Sequence, residues 1–234
     1  MKIALGVEYD GSRFLGWQTQ PGGGTVQDAL QAALASIAGA PVDVVCAGRT
    51  DRGVHAREQV VHFDTPAQRP VGAWVRGVNA VLPGSIAVLW AKPVPEGFHA
   101  RYSATARTYR YVLVNRPVRP ALAARYTGWF HLPLDVAVTA RRLDIERSGE
   151  RIDFVLTANA FLHHMVRNLV GSLVYVGKGK HPPSWVGEVL ESRERARAAP
   201  TFAAEGLYLE AIEYASAWGL DAGRAARTAL PLER

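Results

Sequence analysis

CAGRTDRGVHAREQVVHFDT, residues 46–65, carries one carboxylate, Asp51, between two guanidiniums, Arg49 and Arg52, with Gly53 and His55 just beyond. The preceding VDVVC (42–46) and the closing QVVHF (59–63) read as strands, so the polar residues between them form a loop that joins two strands. Gly53 permits a tight backbone passage close to a ligand. The next carboxylates are Glu58 and Asp64, so the loop lacks the second acid that a glycosidase pair requires. No nucleophile-elbow pattern is present either. Two readings remain. One is a surface Arg–Asp turn, worth little energy. The other is a loop that holds one ionised aspartate, a nucleophile or general base, against an anionic partner. Cationic neighbours favour an ionised carboxylate.

Outward from this loop the chain alternates strands and helices. In KIALGVEY, Ile3, Leu5, Val7 and Tyr9 alternate with their neighbours as in a half-buried strand, ended by Asp10-Gly11. QPGGG (20–24) is a loop. Thr25 is an N-cap with Asp28 three residues on, and Val26, Leu30, Ala33, Leu34 and Ile37 form one helical stripe closed by Gly39. Residues 71–80 predict a helix carrying Trp74 and Val78, and Ile86–Ala91 a strand. Thr108–Asn115 is a strong strand, Thr139–Ile145 a weaker one, and Arg151–Thr157 another. Phe161–Val176 reads as a helix with Leu162, Met165, Leu169 and Leu173 on one stripe. Trp185, Val189 and Leu190 suggest a short helix, and Leu207–Tyr214 a final strand. The expected class is α+β: two similar α/β-sandwich-like units, residues 1–100 and 101–234, with mainly antiparallel sheets and helices on one face. The pattern leaves open whether the sheets are continuous or face a shared cleft.

Composition narrows the function classes. An apolar fraction of 48% over 234 residues argues for a folded chain with a sizeable core. No apolar run approaches the ~18–20 residues of a membrane span. No secretory leader is evident, and the single cysteine, Cys46, excludes a disulfide framework and a Cys-based zinc site. The expected location is the cytoplasm. The net charge of +6 comes from a basic set that is almost all arginine, with lysine only at 2, 92, 178 and 180. Arginine suits phosphates and base faces, so a nucleic-acid partner is one explanation; an arginine-rich codon bias is the other. Of the histidines, His163 and His164 are adjacent, and adjacent helical positions diverge by ~100°. No metal site is expected.

Three further stretches carry candidate chemistry. In RTYRYVLVN (107–115), Tyr109 and Tyr111 share one strand face, opposite Arg110. One of them could stack a base, but not both; core packing is the alternative. In ANAFLHHMVRNLVGSL (158–173), Arg167 sits among apolar residues, either snorkelling or paired with a buried carboxylate. GKGK (177–180) combines flexible backbone with two ammoniums, as a phosphate contact or a solvated loop.

EYDGSRFLGWQ (8–18), VQDAL (26–30), CAGRTDRGVHAREQVVHFDT, VNAVLPGSIAV (78–88), FHARYSATARTYRYVLVN (98–115), ANAFLHHMVRNLVGSL and AEGLYL (204–209), in this order, resemble the tRNA pseudouridine synthase A (TruA) family over most of the chain. The resemblance implies the pseudouridine synthase fold, with two units flanking a central basic active-site cleft. It implies isomerisation of uridine to pseudouridine at positions 38, 39 and 40 of the tRNA anticodon stem-loop, without cofactor or metal. By motif, Asp51 matches the catalytic aspartate, Arg49 an arginine that helps extrude the base, and Tyr109 the tyrosine over the uracil. Arg167 matches the basic partner of the aspartate, and Leu207 an apolar residue of the pocket. The family resemblance also implies a homodimer that binds tRNA across two subunits, with no membrane or DNA partner.

One departure stands out. After WFHLPLD (129–135), the family continues through a helix and a polar loop, whereas here VAVTARRLDIERSGERIDFVLTANAF follows at once. A family segment is expected to be missing near Asp135–Thr139, as an excised mobile stretch rather than a genuine deletion. Two other functions compete: a non-catalytic RNA-binding protein of the same fold, and a pseudouridine synthase with other RNA targets.

Overall fold

The computed structural model describes residues 1–135 and 144–220. These fall into two compact units, Met1–Arg107 with Leu209 onward, and Thr108–Tyr208. The junction at Asp135–Thr139 and the first part of the expected strand Thr139–Ile145 lie outside the described residues.

In the first unit, β1 (Lys2–Tyr9) leads through a short 3-10 turn into helix α1 (Val26–Ala38). The helix begins as its sequence dictates. Thr25 accepts from the Asp28 N–H while Asp28 accepts from the Thr25 N–H, and Gly39 closes the helix with φ 77°. Val26, Leu30, Ala33 and Leu34 are buried. Strand β2 (Val45–Cys46) is shorter than the VDVVC stretch, and β3 (His55–Asp64) is longer than QVVHF. The extension arises because β3 pairs with β1 along its whole length, from Lys2↔Asp64 to Tyr9↔Ala56, across an irregularity between Val7 and Tyr9. A π-helical turn, Ala73–Gly77, runs into α2 (Val78–Val81), and together they bury Trp74 and Val78. Trp74 meets Phe63 edge-on at 5.2 Å. Strand β4 (Ile86–Val94) pairs antiparallel with β1. Within this unit the strands run β4–β1–β3, with β2 also on β3.

In the second unit, β5 (Ala104–Asn115) accepts a short parallel strand, β6 (Gly128–Phe130), which the sequence pattern did not indicate. Strand β7 (Asp144–Ser148) pairs antiparallel with β8 (Arg151–Ala158), and the order is β5–β8–β7. Helices α3 (Met165–Gly177) and α4 (Ser184–Ser192) follow. Strand β9 (Leu207–Tyr214), which belongs to the first unit from Leu209 onward, matches the expected final strand residue for residue. The class is therefore α+β with mainly antiparallel pairing, as expected.

Helix α3 departs from its expected span. It starts at Met165 rather than Phe161, because His164 adopts φ 60° and stops helical continuity upstream. Leu162 is 80% exposed, and the buried stripe is Val166, Val170, Leu173 and Val174 instead of Leu162, Met165, Leu169 and Leu173. Apolar residues at more than half of the positions let either phase satisfy a helical template. Small residues settle it: a Cβ on Gly171 would come within 2.4 Å of the Pro200 carbonyl oxygen, so this side is the packed one. The divergence expected of His163 and His164 also fails, since neither lies inside the helix. Their ring centroids are 3.6 Å apart.

Candidate active site

The Asp51 loop leaves β2 and enters β3, and its backbone is held at almost every step. The Ala47 N–H donates to Val60 O at 2.8 Å, and the buried Gln59 side chain bridges both polar groups of the Gly48 backbone. Arg107 donates to Ala47 O through Nε at 3.2 Å and Nη2 at 3.0 Å, and Nη2 also reaches Arg101 O. Further along, the Trp17 N–H donates to Thr50 O at 2.9 Å, and the Thr50 hydroxyl shares a 2.8 Å hydrogen bond with the buried Tyr9 phenol. Gly53, at φ 80°, makes the tight turn after Asp51, and the Val54 N–H closes it onto Asp51 O at 3.1 Å. The Gly11 N–H donates to His55 Nδ1 at 3.1 Å.

Gly16, at φ 105°, is the close approach on the other side. A Cβ there would sit 2.9 Å from Thr50 O and 3.2 Å from the Arg52 nitrogen. The loop is thus clamped between Gly16–Trp17, Gln59 and Arg107. Asp51 is half-buried in this frame, whereas Arg49 and Arg52 are exposed. Buried backbone groups are satisfied by protein partners, so the main chain has little freedom to shift. These contacts fix the backbone that carries the carboxylate, and the residues on either side of it, Arg49 and Arg52, are exposed.

The other residues singled out by the sequence lie in the second unit. Tyr109, 8% exposed, meets the Phe161 ring edge-on at 5.2 Å. Tyr111 is fully buried, donates its phenol to Ala203 O at 2.9 Å and packs against Phe154 and Phe202. Burial pushes its phenol well above the usual range. Tyr111 is therefore a core residue, and of the two tyrosines only Tyr109 is left as a stacking candidate. Arg167 is half-buried and donates through Nε to Phe202 O at 2.7 Å, while the Phe202 N–H donates back to Arg167 O at 3.2 Å. Leu207 is 5% exposed at the start of β9, with its N–H on Ala204 O.

The sequence reading missed the residues that hold the loop. Gln59 is completely buried in the middle of a strand, and Arg107 stands alone at the head of RTYRY. Gln59 is the first residue of QVVHF and lies mid-strand only because β3 extends back to His55, where its buried amide needs partners. Nothing local marked Arg107.

A family model described as tRNA pseudouridine synthase matches residues 6–103 and 136–215, and the chain belongs to that family. The chain is similar to tRNA pseudouridine synthase A of Dechloromonas aromatica, at 50% identity over 249 aligned positions covering 94% of this chain and 95% of that protein. It is 52% identical to tRNA pseudouridine synthase A of Aromatoleum aromaticum and 49% identical to that of Thiobacillus denitrificans, again over 94% of this chain. The alignments span 249 positions against 234 residues in the chain, so these relatives carry residues without a counterpart here.

Proposed function

We propose that this protein isomerises uridine to pseudouridine at positions 38, 39 and 40 of the tRNA anticodon stem-loop, with Asp51 as the catalytic carboxylate. The observation that carries the reading is the clamped loop: a single half-buried aspartate, on backbone fixed from three sides, between the exposed Arg49 and Arg52. Family membership supplies the reaction class, and the similar proteins carry a tRNA substrate in their names. In the reaction the N1–C1′ glycosidic bond breaks, the uracil turns, the C5–C1′ bond forms, the C5 proton leaves and N1 takes up a proton. Nothing is oxidised or hydrolysed, so one ionised carboxylate and a shaped pocket suffice.

A base in a stem must leave the stack first, at a cost of a few kcal/mol. Arg49 helps hold the vacated position. By the match of their motifs to the family, Tyr109 serves the extruded ring, Leu207 is an apolar pocket residue, and Arg167 is the basic residue of the substrate site. The protein works as a cytoplasmic homodimer, since one chain offers limited basic surface to an L-shaped RNA. The direct test is release of tritium from C5-labelled uridine in an unmodified tRNA transcript, with modified positions then mapped. Release at 38–40 is the expected outcome. A bound but unreacted tRNA refutes the activity, and release from other sites refutes the positions. Light scattering that returned a monomer mass would refute the dimer.

A further inference from the structure

Four lysines occur in the chain, and two of them stand in one turn. Lys2 and Lys92 are engaged: Lys2 donates to Glu96 O and Phe98 O, and Lys92 to Gly219 O. Lys178 and Lys180 differ. Neither ammonium makes a hydrogen bond or ion pair among the described residues. Both are instead held over the same ring, Tyr175, with Nζ at 4.1 Å and 4.3 Å from its centroid, and Lys178 also approaches the Phe130 ring at 5.8 Å. Two like charges gathered at one ring repel each other. Asp135 meets this turn through its backbone N–H, which donates to Gly177 O at 2.9 Å.

The backbone that carries them is fixed. The Lys178 and Lys180 N–H groups donate to Val174 O and Tyr175 O, and Gly179 at φ 77° turns the chain between them. Next to the ammoniums lies an aromatic stack. His181 is parallel to Trp185 at 4.0 Å and 15°, and its ring is also near-parallel to Tyr175 at 6.2 Å and 16°. His181 and Trp185 are both partly exposed, at the entry to α4.

We infer that the turn between α3 and α4 is an RNA-contact site of the second unit, in which Lys178 and Lys180 take backbone phosphates and the His181–Trp185 stack takes an unpaired base. The inference rests on the RNA substrate proposed above and extends it to a surface that carries no reacting group. Paired cations beside a π-stack suit single-stranded RNA, where phosphate contacts set affinity and base stacking adds to it without reading sequence. The competing account is purely structural: lysines at the end of α3 interact favourably with its last carbonyls.

The experiment uses the full chain and an unmodified tRNA transcript, with affinity measured across a salt series for wild type, K178A/K180A, K178R/K180R and Trp185→Ala. The double alanine variant is expected to weaken binding about tenfold at low salt and to flatten the log–log salt slope by ~2, one per lost phosphate contact. The double arginine variant restores both. Trp185→Ala weakens binding about fivefold or more with the wild-type slope, because stacking releases no counterions. In turnover the loss falls on KM. Wild-type affinity and slope in the double alanine variant would overturn the proposal. So would a weakening that follows a fall in melting temperature and is not restored by arginine. Binding is read without turnover, so the two proposals fail separately. A wild type that shows this binding pattern but releases no tritium refutes the activity alone. One that releases tritium while the double alanine variant binds normally refutes this site alone.

Discussion

The Asp51 loop and the lysine turn are both basic, both short, and both bend at a glycine of nearly the same conformation, φ 80° at Gly53 and φ 77° at Gly179. They are built on opposite terms. The Asp51 loop is fixed through its main chain, and Gly16 presses on it so closely that no side chain fits between them. The lysine turn is open: a Cβ on Gly179 would meet nothing within 4 Å. Its charges are placed by long side chains over a ring. Bond-making needs reacting atoms held to a fraction of an ångström, whereas attraction of an ammonium to a phosphate falls off slowly with distance. On the function and the RNA contact proposed above, the difference separates a surface built for chemistry from one built for affinity.

The sharpest way to break this contrast is Asp51→Asn. The substitution keeps shape and removes charge, so turnover should fall by about 10³-fold or more while tRNA affinity stays within a few-fold. Residual activity within tenfold of wild type, measured by tritium release, would remove Asp51 from the chemistry.

The next test weakens the strand on which the loop stands. Arg57 and Glu210 form a buried ion pair, Nη1 to Oε1 at 3.0 Å, with both residues under a tenth exposed. Arg57→Ala leaves the Glu210 charge buried without that partner, and should lower unfolding free energy by roughly 3–5 kcal/mol. Arg57→Met with Glu210→Leu should recover most of the loss, since buried pairs are often replaceable by apolar residues. A denaturant midpoint unchanged in Arg57→Ala would show that the pair is solvent-screened and does not anchor β3.

Two glycine substitutions then compare the surfaces directly. Gly16→Ala meets both a positive φ and the Thr50 carbonyl, so it should cost about 2 kcal/mol or more and reduce kcat by displacing the loop. Gly179→Ala meets only the φ penalty, about 1 kcal/mol, and should leave kcat far less affected. Equal losses of kcat would mean that the Asp51 loop is not the more constrained of the two.

Much of this was legible from residue patterns because the responsible interactions are local. The Thr25–Asp28 capping box and Gly39 stop need only neighbours along one helix, and both form as read. The loop that positions Asp51 was visible because strands bound it and Gly53 turns it. What places it was not: Gln59, Arg107 and Tyr9 reach it from elsewhere, and a sequence does not display contacts across tens of residues. Helix α3 shows the other limit. Apolar residues at more than half of the steps of FLHHMVRNLVGSLVYV support two phases, and the packing of Gly171 on the Pro200 carbonyl selects one. The His181–Trp185 stack escaped notice for the same reason, since GKGK drew attention to charge while the rings that organise it come from α3 and α4.

The smallest expected effect is a pH dependence seated at the far end of β3, where the rigid surface has its base. His62 is 5% exposed, accepts from the Ala100 N–H at Nδ1, and lies beside the Phe98 and His99 rings. Burial, then the charges of His99 and Lys2, push its imidazole down to about 4, with Asp64 acting weakly the other way. His99 is shifted in the same direction by burial and by Lys2. The folded state thus holds His62 neutral where the unfolded chain, with an ordinary histidine near 6.5, takes up a proton. Stability from this group is complete above about pH 6.5 and is lost as pH falls toward 4, at no more than ~1.4 kcal/mol per pH unit. Chemical denaturation at a series of pH values should show that decline in wild type. His62→Asn should start less stable at pH 7, because the ring's packing is lost, yet decline less steeply below 6.5, with His99 supplying the remaining slope. Parallel declines in the two proteins would move the pH dependence away from His62.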